Sequence, residues 1–344
     1  MLFDTFSLGS LTLRNRMVMA PMTRNRAIGN VPNDLMATYY AQRAGIGLIV
    51  TEGVSPSPNG LGYARIRGIF TAEHVKGWQK TTSAVHDRGG RIFVQLMHTG
   101  RASHVDNLPA GARVVSSVET PITAQLVTDT NGLQAASRPH ALSEPEIAET
   151  VEEFATAARL AREAGFDGVE IHGANGYLVE QFLNGNVNMR QDGYGGSIDG
   201  RNRFALEVSR AMAAAIGPDR VAIRLSPYGA FNDTGAFEGV DEQYLTLVRA
   251  PKPSDELQRH MRGAFKGAYI ASGGFDLARA EATLAAGDAD LVAFGRPVLA
   301  NPDLPVRLAG SLPLNAPDFG TFYTPGEKGY TDYPLAALAA EASA

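Results

Sequence analysis

Short apolar runs along the chain alternate with longer segments in which apolar residues recur every three or four positions. This is the pattern of strands interleaved with amphipathic helices. Strands are predicted at Arg16–Met22, Gly47–Thr51, Arg91–Met97, Gly168–Ile171, Arg220–Leu225, Gly267–Ala271 and Leu291–Phe294. Helices are predicted over Asn33–Ala44, Thr71–Arg88, Ser143–Ala164, Arg201–Ile216, Asp241–Arg249 and Ser254–Gly263. The first three stop at glycines, and Ser143 followed by Pro145 and Glu146 reads as an N-cap with an acidic first turn. Ahead of the first strand, Phe6–Leu8 and Leu11–Leu13 flank Gly9-Ser10, a two-residue hairpin signal suited to closing the bottom of a barrel.

Repeated strand–helix order calls for a parallel sheet covered by helices. The 344 residues suit one α/β domain, a (β/α)8 (TIM) barrel spanning residues 1–344. The polar, β-branched stretch 99–142 reads as an inserted cap over the active face. Seven core strands are legible. Between Leu225 and Gly267 no apolar run appears, and two prolines in Arg249-Ala250-Pro251-Lys252-Pro253 would spoil a central strand. The sixth strand region is therefore expected to be shortened or missing. The alanine-rich stretch Ala336–Ala344 reads as a terminal helix or frayed end.

Composition narrows the chemistry. Cysteine is absent, which removes disulfides, thiolate metal sites and thiol nucleophiles, so any redox role rests on a bound cofactor. The net charge of −5, without a basic stretch, argues against nucleic acid. No apolar run approaches a membrane span, and the first residues lack a signal-peptide pattern, so no membrane partner and a cytoplasmic location are expected.

Candidate chemistry gathers at the strand tips, where barrel active sites lie. His172, Asn175 and Tyr177 follow the fourth strand and offer two donors for a carbonyl oxygen and a phenol normally neutral at physiological pH. Ala20-Pro21-Met22-Thr23-Arg24, Thr51-Glu52-Gly53, Gln95-Leu96-Met97-His98 and Arg224-Leu225-Ser226 end four other strands. Ser272-Gly273-Gly274 and Gly295-Arg296 follow the last two. Glycine loops there commonly hold a phosphate through exposed N–H groups, with arginine adding a charge-assisted contact. No Gly-x-Gly-x-x-Gly follows any strand, so no dinucleotide-binding fingerprint is present. His98 and His104 lack a third ligand at metal spacing, so no metal is expected. No lysine stands at a strand tip for Schiff-base chemistry.

The segments Ala20–Arg24, Gln95-Leu96-Met97-His98-Thr99-Gly100-Arg101, His172-Gly173-Ala174-Asn175-Gly176-Tyr177-Leu178, Tyr194-Gly195-Gly196-Ser197, Phe294-Gly295-Arg296, Phe322-Tyr323 and Gly329-Tyr330-Thr331-Asp332-Tyr333-Pro334 occur in order and with sensible gaps. In this the chain resembles the old yellow enzyme family of FMN-dependent ene-reductases, with Thr23 and the Gly329–Pro334 ending similar to the alkene and N-ethylmaleimide reductase branch. The resemblance implies that NADPH or NADH reduces bound FMN, which then passes hydride to the β-carbon of an activated alkene: an enone, enal, maleimide or nitroalkene. It assigns His172 and Asn175 to the substrate oxygen and Tyr177 to protonation of the α-carbon. Pro21, Met22, Thr23, Gly53, Gln95 and Arg224 would contact the flavin ring, Phe322 would pack on it, and Ser272, Gly273, Gly274, Gly295 and Arg296 would hold its phosphate. Tyr63, Met97 and Tyr323 would line the substrate pocket, Met97 standing where many relatives carry tryptophan. A monomer or homodimer is expected. The alternative is a barrel that binds flavin or a phosphate ligand with little turnover, because a βα unit is lost.

Overall fold

Parallel pairing of short strands builds the centre of the structure, a computed structural model that describes residues 1–248, 262–263 and 265–336. In spatial order the strands are Ile270–Ser272, Leu291–Phe294, Met17–Met19, Leu48–Ser55, Ile92–Leu96, Gly168–Gly173 and Val221–Leu225, with Arg67–Gly68 added beside Leu48–Ser55. All seven predicted strands are present. The sixth of them begins at Ile270 rather than Gly267.

The sheet is curled around its own interior, with side chains alternating between that interior and the helices. Val18, Leu48, Val50, Phe93, Leu291 and Ala293 face inward. The hairpin Phe6–Leu8/Leu11–Leu13, paired as predicted, seats Phe6, Leu8, Leu11 and Leu13 on this cluster and closes its amino-terminal end. Ile49, Ile92, Val94, Val169 and Ile171 face outward and join Trp78, Phe154 and Phe204 in the helix layer. Each fully buried side chain of this kind contributes about 1.5–3 kcal/mol.

Helices begin where side chains satisfy their first N–H groups. Asn33 and Thr71 accept from the amides of Met36 and His74 ahead of Asp34–Gln42 and Ala72–His86. The Ser143 amide donates to Glu146 Oε2 at 2.8 Å at the head of Glu144–Glu163. Ser197 Oγ accepts from the Gly200 amide at 3.0 Å, so the next helix is Ile198–Ile216 and starts before the predicted Arg201. The predicted Asp241–Arg249 helix spans Val240–Leu247 among the described residues. Two further helices are Leu178–Leu183, directly after Tyr177, and the Asp276-capped Leu277–Ala285. The stretch 99–142 holds an antiparallel pair, Gln125–Thr128 with Gly132–Ala135, and a short parallel pair, Val115–Ser116 with His140–Ala141.

Among the described residues, Val221–Leu225 and Ile270–Ser272 each pair on one side only. A cavity of about 940 Å³ runs inside the sheet between them. Most of the predicted Ser254–Gly263 helix, the Arg249–Pro253 junction and residues 337–344 of the tail lie outside the described residues. No described helix is long and apolar enough to cross a membrane.

The carboxyl end of Leu48–Ser55 carries a buried polar network. Glu52 pairs with Arg67, both with fully buried side chains. It also accepts from the Arg24 amide at 2.7 Å, the Tyr40 hydroxyl at 3.2 Å and the Tyr330 hydroxyl at 3.4 Å. Arg24, Arg26 and Arg43 donate to carbonyls of Phe322, Gly329, Gly326, Thr321, Lys328 and Leu299. They fasten the last described segment across the mouth of the first two strands. Burial lowers the Arg26 guanidinium to about 10, so it stays charged at neutral pH. Replacing Arg67 by leucine strands the Glu52 carboxylate in the interior. The expected loss is about 3–5 kcal/mol in urea unfolding, the usual cost of breaking a buried pair from one side; a loss below about 1 kcal/mol contradicts this assignment.

Candidate active site

The inward row of the strands changes character from one end to the other. Near the hairpin it is apolar; towards the carboxyl ends it becomes Gln95, Glu170, His172 and Arg224. Parallel register sets Gly168 beside Phe93, Glu170 beside Gln95 and His172 beside Arg224. Gly168 has to be glycine, since a Cβ there would come within 2.4 Å of the Phe93 ring. Gln95 Nε2 donates to Glu170 Oε1 at 2.7 Å. The partner that a buried amide requires is therefore already in the protein, where sequence reasoning looked only to a flavin. Burial raises the Glu170 carboxyl above its ordinary value, opposed by the Arg224 charge and the Gln95 hydrogen bond.

His172 is held neutral. Burial, then the adjacent Arg224 cation, push it well below the ordinary histidine value. Its Nδ1 accepts from the Ala174 amide at 3.3 Å, which leaves the ring proton on Nε2 as a donor. The Tyr177 ring meets the His172 ring edge-on, with centroids 4.8 Å apart. The Tyr177 hydroxyl donates to the Tyr63 hydroxyl at 3.3 Å. Burial, followed by Tyr63, raises the Tyr177 phenol well above its ordinary value, so it stays protonated. Met97, Leu61, Ile66 and Ile122 pack around this pair of tyrosines.

Asn175 sits in the left-handed region at φ 58°, followed by Gly176 at φ 69°. Its amide donates to Ser226 Oγ at 3.0 Å and its carbonyl accepts from Asn232 Nδ2 at 2.9 Å. Its side-chain amide makes no hydrogen bond among the described residues, and it is half-buried. Asn232, overlooked in the sequence, also bears on the Tyr63 and Tyr177 phenols, lowering both against the rise that burial causes. Glu170 was overlooked too, although its place two residues before His172 puts it on the same strand face.

The other predicted residues form a second group. Pro21, Met22 and Thr23 are half-buried just past Met17–Met19, where the Ala20 amide donates to the Phe294 carbonyl at 3.0 Å. Met22 Sδ lies 3.7 Å from where a Cβ on Gly295 would stand. Ser272 pairs beside Ala293, so the loops carrying Gly273-Gly274 and Gly295-Arg296 leave neighbouring strand ends. Gly273 and Gly274 have φ of 144° and 62°, and a Cβ on either would meet open space. Arg296 is exposed, 5.4 Å above the Phe319 ring. Phe322 lies under the Arg24 guanidinium at 5.4 Å, while Tyr323 is 61% exposed. A side chain on Gly53 would strike Met97, with Sδ at 2.5 Å, so that glycine is required by the neighbouring strand tip. His98 and His104 each accept the amide two residues on, at 3.1 Å, and so close their own turns.

These groups suit FMN. The Arg224 guanidinium, a permanent cation, makes no hydrogen bond among the described residues and adjoins the neutral His172 and the Glu170 carboxyl. The positive-φ Gly273 and Gly274 leave open space beside their backbone, which is the room a phosphate held by N–H donors would need.

A parallel α/β barrel with an acid, a neutral imidazole and a guanidinium gathered at its strand tips suits a cofactor-dependent enzyme. The chain matches the model of the NADH:flavin oxidoreductase / NADH oxidase family over residues 1–258 and 251–315. It is 40% identical to 12-oxophytodienoate reductase 7 of Oryza sativa subsp. japonica, over 97% of this chain and 94% of that one. It is 42% identical to a probable flavin mononucleotide-dependent alkene reductase of Leishmania infantum, over 95% of each. It superposes on morphinone reductase in complex with tetrahydroNAD with a TM-score of 0.92 at 43% identity, covering 97% of both chains. The chain belongs to the NADH:flavin oxidoreductase family, the old yellow enzymes, and is an FMN-dependent oxidoreductase.

Gly53→Ala is expected to cost about 1–3 kcal/mol by overpacking against Met97. In a Met97→Ala background, where the clashing side chain is already gone, the same Gly53→Ala change should cost much less in thermal unfolding; an equal cost there would mean that the clash lies elsewhere.

Proposed function

We propose that the chain reduces alkenes activated by a carbonyl or nitro group (enones, enals, maleimides or nitroalkenes), with NADPH or NADH as the reductant. The observation that carries this reading is the contact between a neutral His172, with its proton on Nε2, and a protonated Tyr177. When bound, FMN supplies the hydride for the β-carbon. His172 and Asn175 hold the substrate oxygen and stabilise the negative charge that develops there. Neutral imidazole suits that task, since its Nε2–H donates without a competing proton transfer. Tyr177 protonates the α-carbon; its raised pKa keeps the proton in place until a strongly basic carbon needs it. Tyr63 holds the phenol in line, and Met97 and Tyr323 flank the pocket.

On the cofactor side, Thr23, Gln95 and Arg224 bind the polar edge of the ring, with backbone from Pro21, Met22 and Gly53, and Phe322 packs against it. Arg224 stabilises negative charge there. Ser272, Gly273, Gly274, Gly295 and Arg296 hold the phosphate. Residues 99–142 act as a cap: Arg101 Nη2 donates to the Asn232 carbonyl at 3.1 Å, and the Thr123 hydroxyl to Asp233 at 2.8 Å, tying the insertion to the loop that carries Asn232. The whole is read as one cytoplasmic domain, monomeric or homodimeric.

The sixth strand region is read as shortened. A family match that splits into two segments, residues 1–258 and 251–315, supports this. A lost βα unit would favour a second reading, a barrel that binds flavin with little turnover. Anaerobic bleaching of the purified yellow protein by NADPH, followed by recovery of colour on adding 2-cyclohexenone, separates the two.

Tyr177→Phe should slow the alkene half-reaction about a hundredfold or more in stopped flow, the typical worth of a general acid, while flavin reduction is retained. Equal losses in both half-reactions would argue against the donor role. Arg296→Ala should lower FMN occupancy after dialysis; unchanged occupancy rejects the phosphate assignment.

A further inference from the structure

Beneath the turn that bears Asn175 and Tyr177 lies a carboxylate that the chemistry above does not use. Glu180, on the first turn of Leu178–Leu183, is fully buried. Its Oε2 accepts from the Gly176 amide at 2.6 Å. Its Oε1 accepts from the Tyr244 hydroxyl at 3.1 Å and the Ser226 hydroxyl at 3.1 Å. Ser226 Oγ in turn accepts the Asn175 amide at 3.0 Å. One carboxylate thus ties together the catalytic turn, the end of the strand that carries Arg224 and the Val240–Leu247 helix.

We propose that Glu180 is a positioning residue: as a carboxylate it fixes the left-handed turn at Asn175-Gly176 and thereby aims Asn175 and Tyr177 at the substrate. This rests on the alkene-reductase reading above. The turn itself is unfavourable for a non-glycine residue, and φ 58° at Asn175 persists only where its surroundings over-determine it. The two amides of the turn end on Ser226 and Glu180, which supply that constraint. Every group facing the carboxyl is a donor. A protonated Glu180 would add a fourth, and the Gly176 N–H, unlike the two hydroxyls, cannot turn round to accept.

Burial raises the Glu180 carboxyl to about 7, against the opposing hydrogen bonds from Gly176, Tyr244 and Ser226; these three are the groups that bear on its ionisation. The charged, turn-fixing form is therefore present above about pH 7 and lost below it. The limiting rate of the alkene half-reaction, measured with pre-reduced holoenzyme, is expected to fall as pH drops through that value.

The test uses three variants of the full chain. Glu180→Ala should slow the alkene step about ten- to a hundredfold at pH 8, the scale of a misplaced reacting group, and should raise hydrogen exchange at the 175–176 amides. Glu180→Gln carries the neutral form at every pH, so its rate and protection should match those of the wild-type enzyme below pH 7 and show no fall near that value. Tyr244→Phe removes a donor that favours the charged form, so the midpoint should move up. An unchanged midpoint in Tyr244→Phe, or an ionisation near pH 7 that survives in Glu180→Gln, overturns the proposal. So does a Glu180→Ala enzyme with normal rate and exchange. Failure of the reading beneath it looks different: wild-type holoenzyme would then reduce no alkene at any pH.

Discussion

Parallel pairing sets Gln95 beside Glu170 and His172 beside Arg224. Strand side chains alternate with a period of two, so a slip of one residue in either pair would turn these groups into the helix layer and bring Val169 and Ile171 into the interior. The apolar outer face, packed on Trp78 and Phe154, makes that slip expensive. The hydrophobic effect acting on one face of each strand thus fixes the polar chemistry on the other. Desolvation follows from the same arrangement: it keeps His172 neutral and Tyr177 protonated, the states that the proposed oxygen binding and proton donation require.

The last described segment returns across the entire chain to reach this face. Arg24 and Arg26 gather carbonyls nearly 300 positions away, and Glu52 takes hydroxyls from both Tyr40 and Tyr330. Guanidinium groups suit this role because each offers five fixed donors, and main-chain carbonyls crossing a strand tip need donor partners far more than they need charge. The buried Glu52–Arg67 pair balances the charge locally. Phe322 is thereby set beside Arg24, which no local propensity requires.

Hydrogen bonding at the Asn175-Gly176 turn has a comparable logic on the substrate side. Two consecutive left-handed residues present their N–H groups inward, and the fold answers with a hydroxyl and a carboxylate contributed by different elements. Asn175 is thus free of backbone duties at its side chain, and Tyr177 follows at the head of a helix whose orientation is fixed by Gln181 and Glu180.

The sequence alone determined the order of elements, because hydrophobic periodicity and capping residues such as Asn33, Thr71 and Ser143 act within a few positions of themselves. It also determined that His172, Asn175, Tyr177, Arg224 and the Gly273 and Gly295 loops stand at strand ends, since a short apolar run fixes where a strand stops. Tertiary structure alone decided the partners. Gln95 meets Glu170, Gly53 yields to Met97, and Glu180 rather than any neighbour in sequence holds the Gly176 amide. Those pairings arise from strand register and from contacts between residues dozens of positions apart. Burial then sets the protonation of His172, Tyr177 and Glu180, because desolvation depends on everything packed around a group and not on the residues beside it in the chain.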